Sequence, residues 1–394
     1  ALEYKATTSL VAPGVNFGTP TYINDNMSLV RSVYPYDAGG SGKFVFVGDA
    51  DPSSPAIHSV NITNPGSPTY DVNMKAGPLN IEDLTMVGSQ IFAVRPNGVF
   101  GTGLGSGGII RYQLNFASPI SALNSQRNNQ GSPTGYATGI DVDGGGTYAY
   151  VADDRGGLIR YDISDPNSIG YERRDIPGNV SNRAKRVTVD GNYAHLAFNL
   201  NYRIVDISGS PMTQVGSANT NQANDVAVSG DYAYVAADVY GLKIVNITDK
   251  TNPVVSGTAD TGGEAEGVTV SGNYAYVADG TAGLAAVNIS NPASPTIDAT
   301  VALNNVGGTD SKDVAIFENY AYVANEKNLA IIPLTFGSIK NGGNNATLTL
   351  PALGGGSSLA ASSLKIDTTV PTVNAVTSTT ANGTYKLGQT IAIT

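Results

Sequence analysis

A unit of about forty residues recurs along this chain, and a fixed repeat period decides the architecture before any single motif does. The clearest copy runs from Val268 to Pro295 and reads VTVSGNYAYVADGTAGLAAVNISNPASP. Its Tyr-Ala-Tyr-Val core returns at Tyr148, Tyr193 (as YAHL), Tyr232, Tyr274 and Tyr320, in steps of 45, 39, 42 and 46 residues. Phe44-Val-Phe-Val and Ile91-Phe-Ala-Val fill the same slot upstream, which makes seven units.

Each unit follows one order. A short apolar run comes first, such as VAV from Val226 or VTV from Val268. A tight turn follows, Ser229-Gly-Asp or Ser271-Gly-Asn, of residue types that tolerate positive φ. The YAYVAD run is next, then a loop ending in Gly and a third run, GLIRYDIS from Gly157 or GLKIVNIT from Gly241. An Asn/Asp-Pro turn (Asp165-Pro166, Asn291-Pro292) leads into a more polar fourth run. These runs are rich in Val, Ile and Tyr, alternate or are continuously apolar, and show no helical period, so they read as strands. Four strands every 42 residues or so predict β-propeller blades. A solenoid is the competing architecture, but its coils carry fewer strands per repeat.

The run GLKIVNIT and its siblings resemble the LVIVD repeat of propeller domains in bacterial and archaeal surface proteins, over roughly residues 28–350. The resemblance implies an all-β, seven-bladed β-propeller and carries little about activity. The first two units and the last depart from the pattern: unit two holds the insert VFGTGLGSGG, and unit seven reads NLAIIPLT. Blades are expected near 28–78, 79–130, 136–180, 184–222, 223–262, 264–305 and 311–350. Ring closure is expected from Glu3–Leu10 or from Ala346–Leu350, with neither preferred.

Beyond Leu350 the composition changes. Residues 351–366 read as a Gly/Ser/Ala linker. Residues 367–394, with DTTVP and NGTYKLG, resemble the opening of bacterial immunoglobulin-like surface repeats. So short a segment is only a part of such a domain, which needs about 100 residues. Two explanations stand: a fragment of a longer surface protein, or strands that complete a neighbouring subunit's sheet and build a filament or sheath.

A net charge of −10 opposes binding to nucleic acid or anionic lipid and is compatible with divalent cations. The chain lacks cysteine, so no disulfide framework or thiol chemistry is available. No apolar run reaches the ~18 residues of a membrane-spanning helix. With charged residues at only 14%, the Gly/Thr/Ser/Asn-rich composition resembles surface-layer and adhesin chains, so an extracellular or cell-surface location is expected. Ala1 suits the residue after a cleaved signal.

Candidate chemistry is sparse. His58 and His195 are the only histidines; both fall in strands, without a second His at metal spacing. Gly103-Leu-Gly-Ser-Gly-Gly sits in a hairpin of an all-β repeat, not in the strand-to-helix turn that a dinucleotide needs. The Asp after YVA (Asp49, Asp153, Asp279, with Asn325 in the same slot) suits an Asx turn; calcium is the alternative, richest at Asp49-Ala-Asp51 and Asp153-Asp154. Asp141-Val-Asp143-Gly opens like an EF-hand loop but lacks its closing Glu. Asp83, Asp225 and Asp313 each precede a first strand, and Arg186 takes that place in unit four. First strands line a propeller's channel, so these four either hold a cation or polar ligand at its mouth or tie blades together. Asn-x-Ser/Thr at Asn61, Asn246 and Asn288 is a by-product of the third-strand consensus, and the paired tyrosines are expected to pack between blades, leaving Tyr34, Tyr36 and Tyr240 as better sugar contacts.

These features together predict a non-catalytic structural or adhesive module. Its expected partners are other surface domains, copies of itself, or glycans. A carbohydrate-acting propeller using Asp83, Asp225 and Asp313 is the enzymatic alternative.

Overall fold

The computed structural model describes residues 14–24, 27–51, 56–74, 81–95, 108–115, 121–127, 137–154, 156–176, 183–303, 310–336, 340–341 and 344–345. Seven antiparallel sheets follow one another in chain order as the blades of a propeller. Blade five shows the plan: Asp225–Ser229, Tyr232–Ala236, Leu242–Asn246 and Val254–Ala259 pair in sequence from the axis outward. The inner strands of the other blades, from one to seven, are Val30–Asp37, Asp83–Val87, Ala137–Val142, Ala184–Asp190, Gly267–Ser271 and Ser311–Phe317. Each inner strand packs on the next, and that of blade seven returns to that of blade one, so the ring is closed.

The repeat's turn chemistry is visible in the backbone. Ser229 faces Tyr232 and Ser271 faces Tyr274 across two-residue loops, in which Gly230 and Gly272 take a φ of +57°. At the end of the third strand the side-chain oxygens of Asn61, Asp162, Asp206, Asn246 and Asn288 accept the amide two residues on, at 2.9–3.0 Å. The Asn or Asp of the VNIT-type motif, the last residue of the third strand, therefore closes an Asx turn with the amide two residues on.

The cores lie between blades. Phe44, Phe46 and Ile57 of blade one pack on Leu84, Ile91 and Ile110 of blade two. Tyr234 and Leu242 of blade five meet Val268 and Val277 of blade six. The tyrosine pairs join these interfaces as their alternation predicts: Tyr274 and Tyr276 sit 6.2 Å apart, and Tyr320 and Tyr322 pack toward Val30 and Val33 of blade one. Fourth strands carry glycine where the next blade's turn nests. A Cβ at Gly257 would stand 2.1 Å from the Pro292 carbonyl oxygen, and one at Gly216 2.1 Å from that of Lys250.

Thr21–Ile23 is one outer partner of blade seven's third strand, in register Thr21 with Ile331, Tyr22 with Ala330 and Ile23 with Leu329. Both closing segments expected from the sequence lie outside the described residues, as do the 351–366 linker, the 367–394 segment and residues 103–107 of the glycine-rich insert. Contacts divide the chain into Phe17–Thr335, which holds the propeller, and a second unit of Ala1–Asn16 with Phe336–Thr394. In the second unit Lys340–Asn341 pairs with Asn344–Asn345. Among the described residues no helix is long and apolar enough to cross a membrane.

Candidate functional site in the central channel

An inner strand is the edge of its sheet, so every second N–H points away from its only partner strand and needs an acceptor. Four carboxylates supply it. Asp83 accepts Leu84 N–H at 2.9 Å with one oxygen and Ile140 N–H of blade three at 2.9 Å with the other. Asp225 takes Val226 N–H and, from blade six, Val268 N–H, both at 2.8 Å. Asp313 takes Val314 N–H at 2.8 Å and Val33 N–H of blade one at 3.0 Å. Asp141, two positions further along its strand, takes Val142 N–H and Val189 N–H of blade four, both at 2.8 Å. Each carboxylate thus caps its own edge and latches the next blade.

The partner positions are small. Gly139, Gly267 and Ser32 stand where blades three, six and one would otherwise carry the equivalent Asp. A Cβ at Gly139 would come within 2.8 Å of Arg186 Cα. Arg186 pairs with Asp83 of blade two, at 2.5 Å from Nη1 to the carboxylate. Burial lowers the Arg186 pKa, but Asp83, Asp313 and Asp225 outweigh it and raise the pKa, so the guanidinium stays charged. Burial, held back by Arg186 and reinforced by Asp313, pushes Asp225 up to about 7. Burial, opposed by its amide bonds and aided by the Asp83 charge, pushes Asp141 up to about 6. These groups line a cavity of about 310 Å³, together with Tyr34, Thr85, Thr188 and Thr269.

The three junctions without such a latch have another tie at the residue just before. Arg31 of blade one faces Glu82 of blade two at 3.9 Å, and Lys312 of blade seven pairs with Glu266 of blade six at 3.0 Å. Lys185 of blade four donates to Asn224 of blade five at 2.5 Å. Every junction of the ring therefore carries a polar tie in or beside its inner strands.

The Asp after YVA is buried. Asp49 accepts Ser28, Leu29 and Asp51 amides at 2.9–3.0 Å and faces His58 Nε2 at 3.2 Å. Asp153 accepts Gly156 N–H at 2.9 Å, and Asp279 takes the Thr261 hydroxyl at 2.6 Å. Asn325 donates to Leu303 O at 2.9 Å. Asp154 pairs with Arg183 at 3.4 Å. Asp49 and Asp51 belong to blade one and its loop, Asp153 and Asp154 to blade three and its loop. No group of three or more His, Cys, Asp or Glu suited to a metal is found among the described residues.

Both histidines are fully buried. His58 Nδ1 bonds the Tyr70 hydroxyl at 2.9 Å, and His195 Nδ1 bonds that of Tyr202. Burial, with Lys250 adding to it, pulls His195 down to about 4, so it is neutral near pH 7. Of the tyrosines expected in loops as sugar contacts, Tyr34 and Tyr36 lie instead in the inner strand of blade one, where Tyr34 lines the channel and Tyr36 packs on Phe46 at 6.5 Å; Tyr240 is 43% exposed.

Two arginines in third strands went unread in the sequence. Arg111 of blade two donates to Ile163 O and Asp165 O of blade three at 2.8 and 2.6 Å. Arg160 of blade three donates to Ile207 O and Gly209 O of blade four at 3.3 and 3.1 Å. The visible signal was an Arg inside an otherwise apolar run.

Five stretches, residues 134–172, 181–220, 221–261, 262–302 and 308–333, match the family model of the LVIVD repeat. They coincide with blades three to seven. The molecule is thus a seven-bladed β-propeller carrying LVIVD repeats, a scaffold that fits non-catalytic binding in general. No curated protein matches the chain.

Proposed function

We propose that this propeller is a non-catalytic module displayed outside the cell, which binds partners through its loop faces. The observation that carries this reading is the channel wall. Both oxygens of Asp83, Asp141, Asp225 and Asp313 are taken by backbone amides, so these groups are engaged in holding blades together. A glycosidase pair needs one carboxyl free to protonate the leaving group and another free to attack or activate water. Buried His58 and His195, each spent on a tyrosine hydroxyl, add no general base at a surface. What remains for recognition is the loop faces, where Leu200, Val239 and Tyr240 are exposed. The Gly/Thr/Ser/Asn-rich, acidic and low-charge composition supports a setting outside the cell.

The test has two arms. Surface labelling and protease shaving of cells that make the protein report location. Binding of the purified chain to arrays of glycans and extracellular proteins reports the partner. Surface exposure with saturable binding that Tyr240→Ala weakens supports the proposal. Protection inside intact cells, or turnover of a glycoside lost in Asp225→Asn, overturns it.

A further inference from the structure

The tie between blades four and five differs in kind from the other two at its level. Arg31–Glu82 and Lys312–Glu266 join a cation to a carboxylate. At the third, Lys185 Nζ lies 2.5 Å from Asn224 Oδ1, so an amine faces a primary amide whose nitrogen can leave. Asn224 is 6% exposed, and its Nδ2 donates to Ala265 O at 2.9 Å, which fixes the plane of the amide against the amine. The residue after Ala265 is Glu266, held in place by Lys312.

We propose that Lys185 and Asn224 condense into an isopeptide bond that staples blade four to blade five. The bond formed is Lys185 Nζ to Asn224 Cγ, and the bond broken is Asn224 Cγ–Nδ2. The nitrogen leaves as ammonia, with no oxidant, metal or further reactant. Glu266, next in the chain to the Ala265 carbonyl that holds the Asn224 amide, is the carboxylate we assign to take the proton shed by the attacking nitrogen and to hand it to the leaving one.

Three features favour the reaction. Fixing two reactants in contact replaces a bimolecular encounter and supplies a large effective concentration. Burial lowers the Lys185 pKa and outweighs the opposing pull of Glu266 and Asp238, which raises the share of neutral, nucleophilic amine. A chain with no cysteine has no disulfide with which to lock its ring.

The test is the intact mass of the purified full chain, followed by tryptic mapping. The expected mass is one ammonia below that of the sequence. Trypsin should fail after Lys185 and yield a branched peptide that joins the segments around 185 and 224. Lys185→Arg and Asn224→Ala should each restore full mass and two separate peptides. Glu266→Gln should leave the pair unjoined. Full mass in the wild-type chain overturns the proposal, and so does ammonia loss with Lys185 still cleaved, which signals cyclisation of an asparagine instead. Linkage that persists in Glu266→Gln overturns the relay. The wild-type result decides alone if the variants do not fold.

Discussion

Among the described residues Arg186 is the one cation lining the cavity with the four carboxylates, so replacing it isolates the electrostatics of the ring. Met keeps much of the stem and removes the guanidinium. The Arg186 and Asp83 side chains are only 17% and 13% exposed, so solvent screens the pair weakly. Removing one partner of a buried pair costs about 3–5 kcal/mol, because an uncompensated charge is left behind. We expect a loss of that size in urea unfolding at pH 8, with an unchanged m value. The loss must also depend on pH. Asp225 lies at about 7 with Arg186 present, and without it this carboxyl rises further. A carboxyl raised in the folded state destabilises fully above its folded pKa, and the penalty fades as pH falls toward the unfolded value of about 3.9. The deficit of Arg186→Met should therefore shrink markedly between pH 8 and pH 5. A deficit under about 1 kcal/mol at pH 8, the scale of exposed pairs, or one that is equal at both pH values, would refute the reasoning.

Other outcomes follow from the same geometry. Because Asp141 and Asp225 are held near 6 and 7, wild-type stability should fall as pH rises from 5 to 8, and Asp225→Asn should flatten that slope in a urea-midpoint series; a rise over this range contradicts it. Gly257→Ala places a methyl against the Pro292 carbonyl and should cost about 1–3 kcal/mol in thermal unfolding, as overpacking does. Arg160→Ala should cost a similar ~1.5–3 kcal/mol through its charged bonds to two blade-four carbonyls, measured by the same melt. Calcium or its chelation should leave the melting temperature of the propeller unmoved, since the Asp49 carboxylate already accepts three amides; a clear calcium-dependent rise would assign Asp49, Asp51, Asp153 or Asp154 to the ion.

Much of this ring is legible in the sequence because each blade repeats the same local rules. Period-two alternation placed Tyr274 and Tyr276 on one face, and Gly230 and Gly272 marked their hairpins. Asp83, Asp225 and Asp313 were found because they share one place before the first strand. Asp141 escaped because it sits two positions on, in a DVDG run that reads as the start of a calcium loop. Its task appears only when blade four is set beside it and Val189 N–H is seen to donate to its carboxylate. Thr21–Ile23 escaped because three residues between Pro20 and Asn24 carry no periodic signal, and its pairing is fixed by closure of the ring. Arg111 and Arg160 escaped for a related reason: a lone Arg in a strand reveals nothing until the next blade's turn carbonyls are in view.

The claim at the centre of this account is that the channel carboxylates are structural latches whose oxygens the neighbouring blades occupy. Native-state hydrogen exchange of the Val33, Ile140, Val189 and Val268 amides measures this directly. These four edge amides should exchange as slowly as the paired amides of the second strands, and Asp225→Ala should release, of the four, Val268 alone. Exchange of all four at the rate of a solvent-facing turn would contradict it and return the carboxylates to the pool of free ligands for a cation.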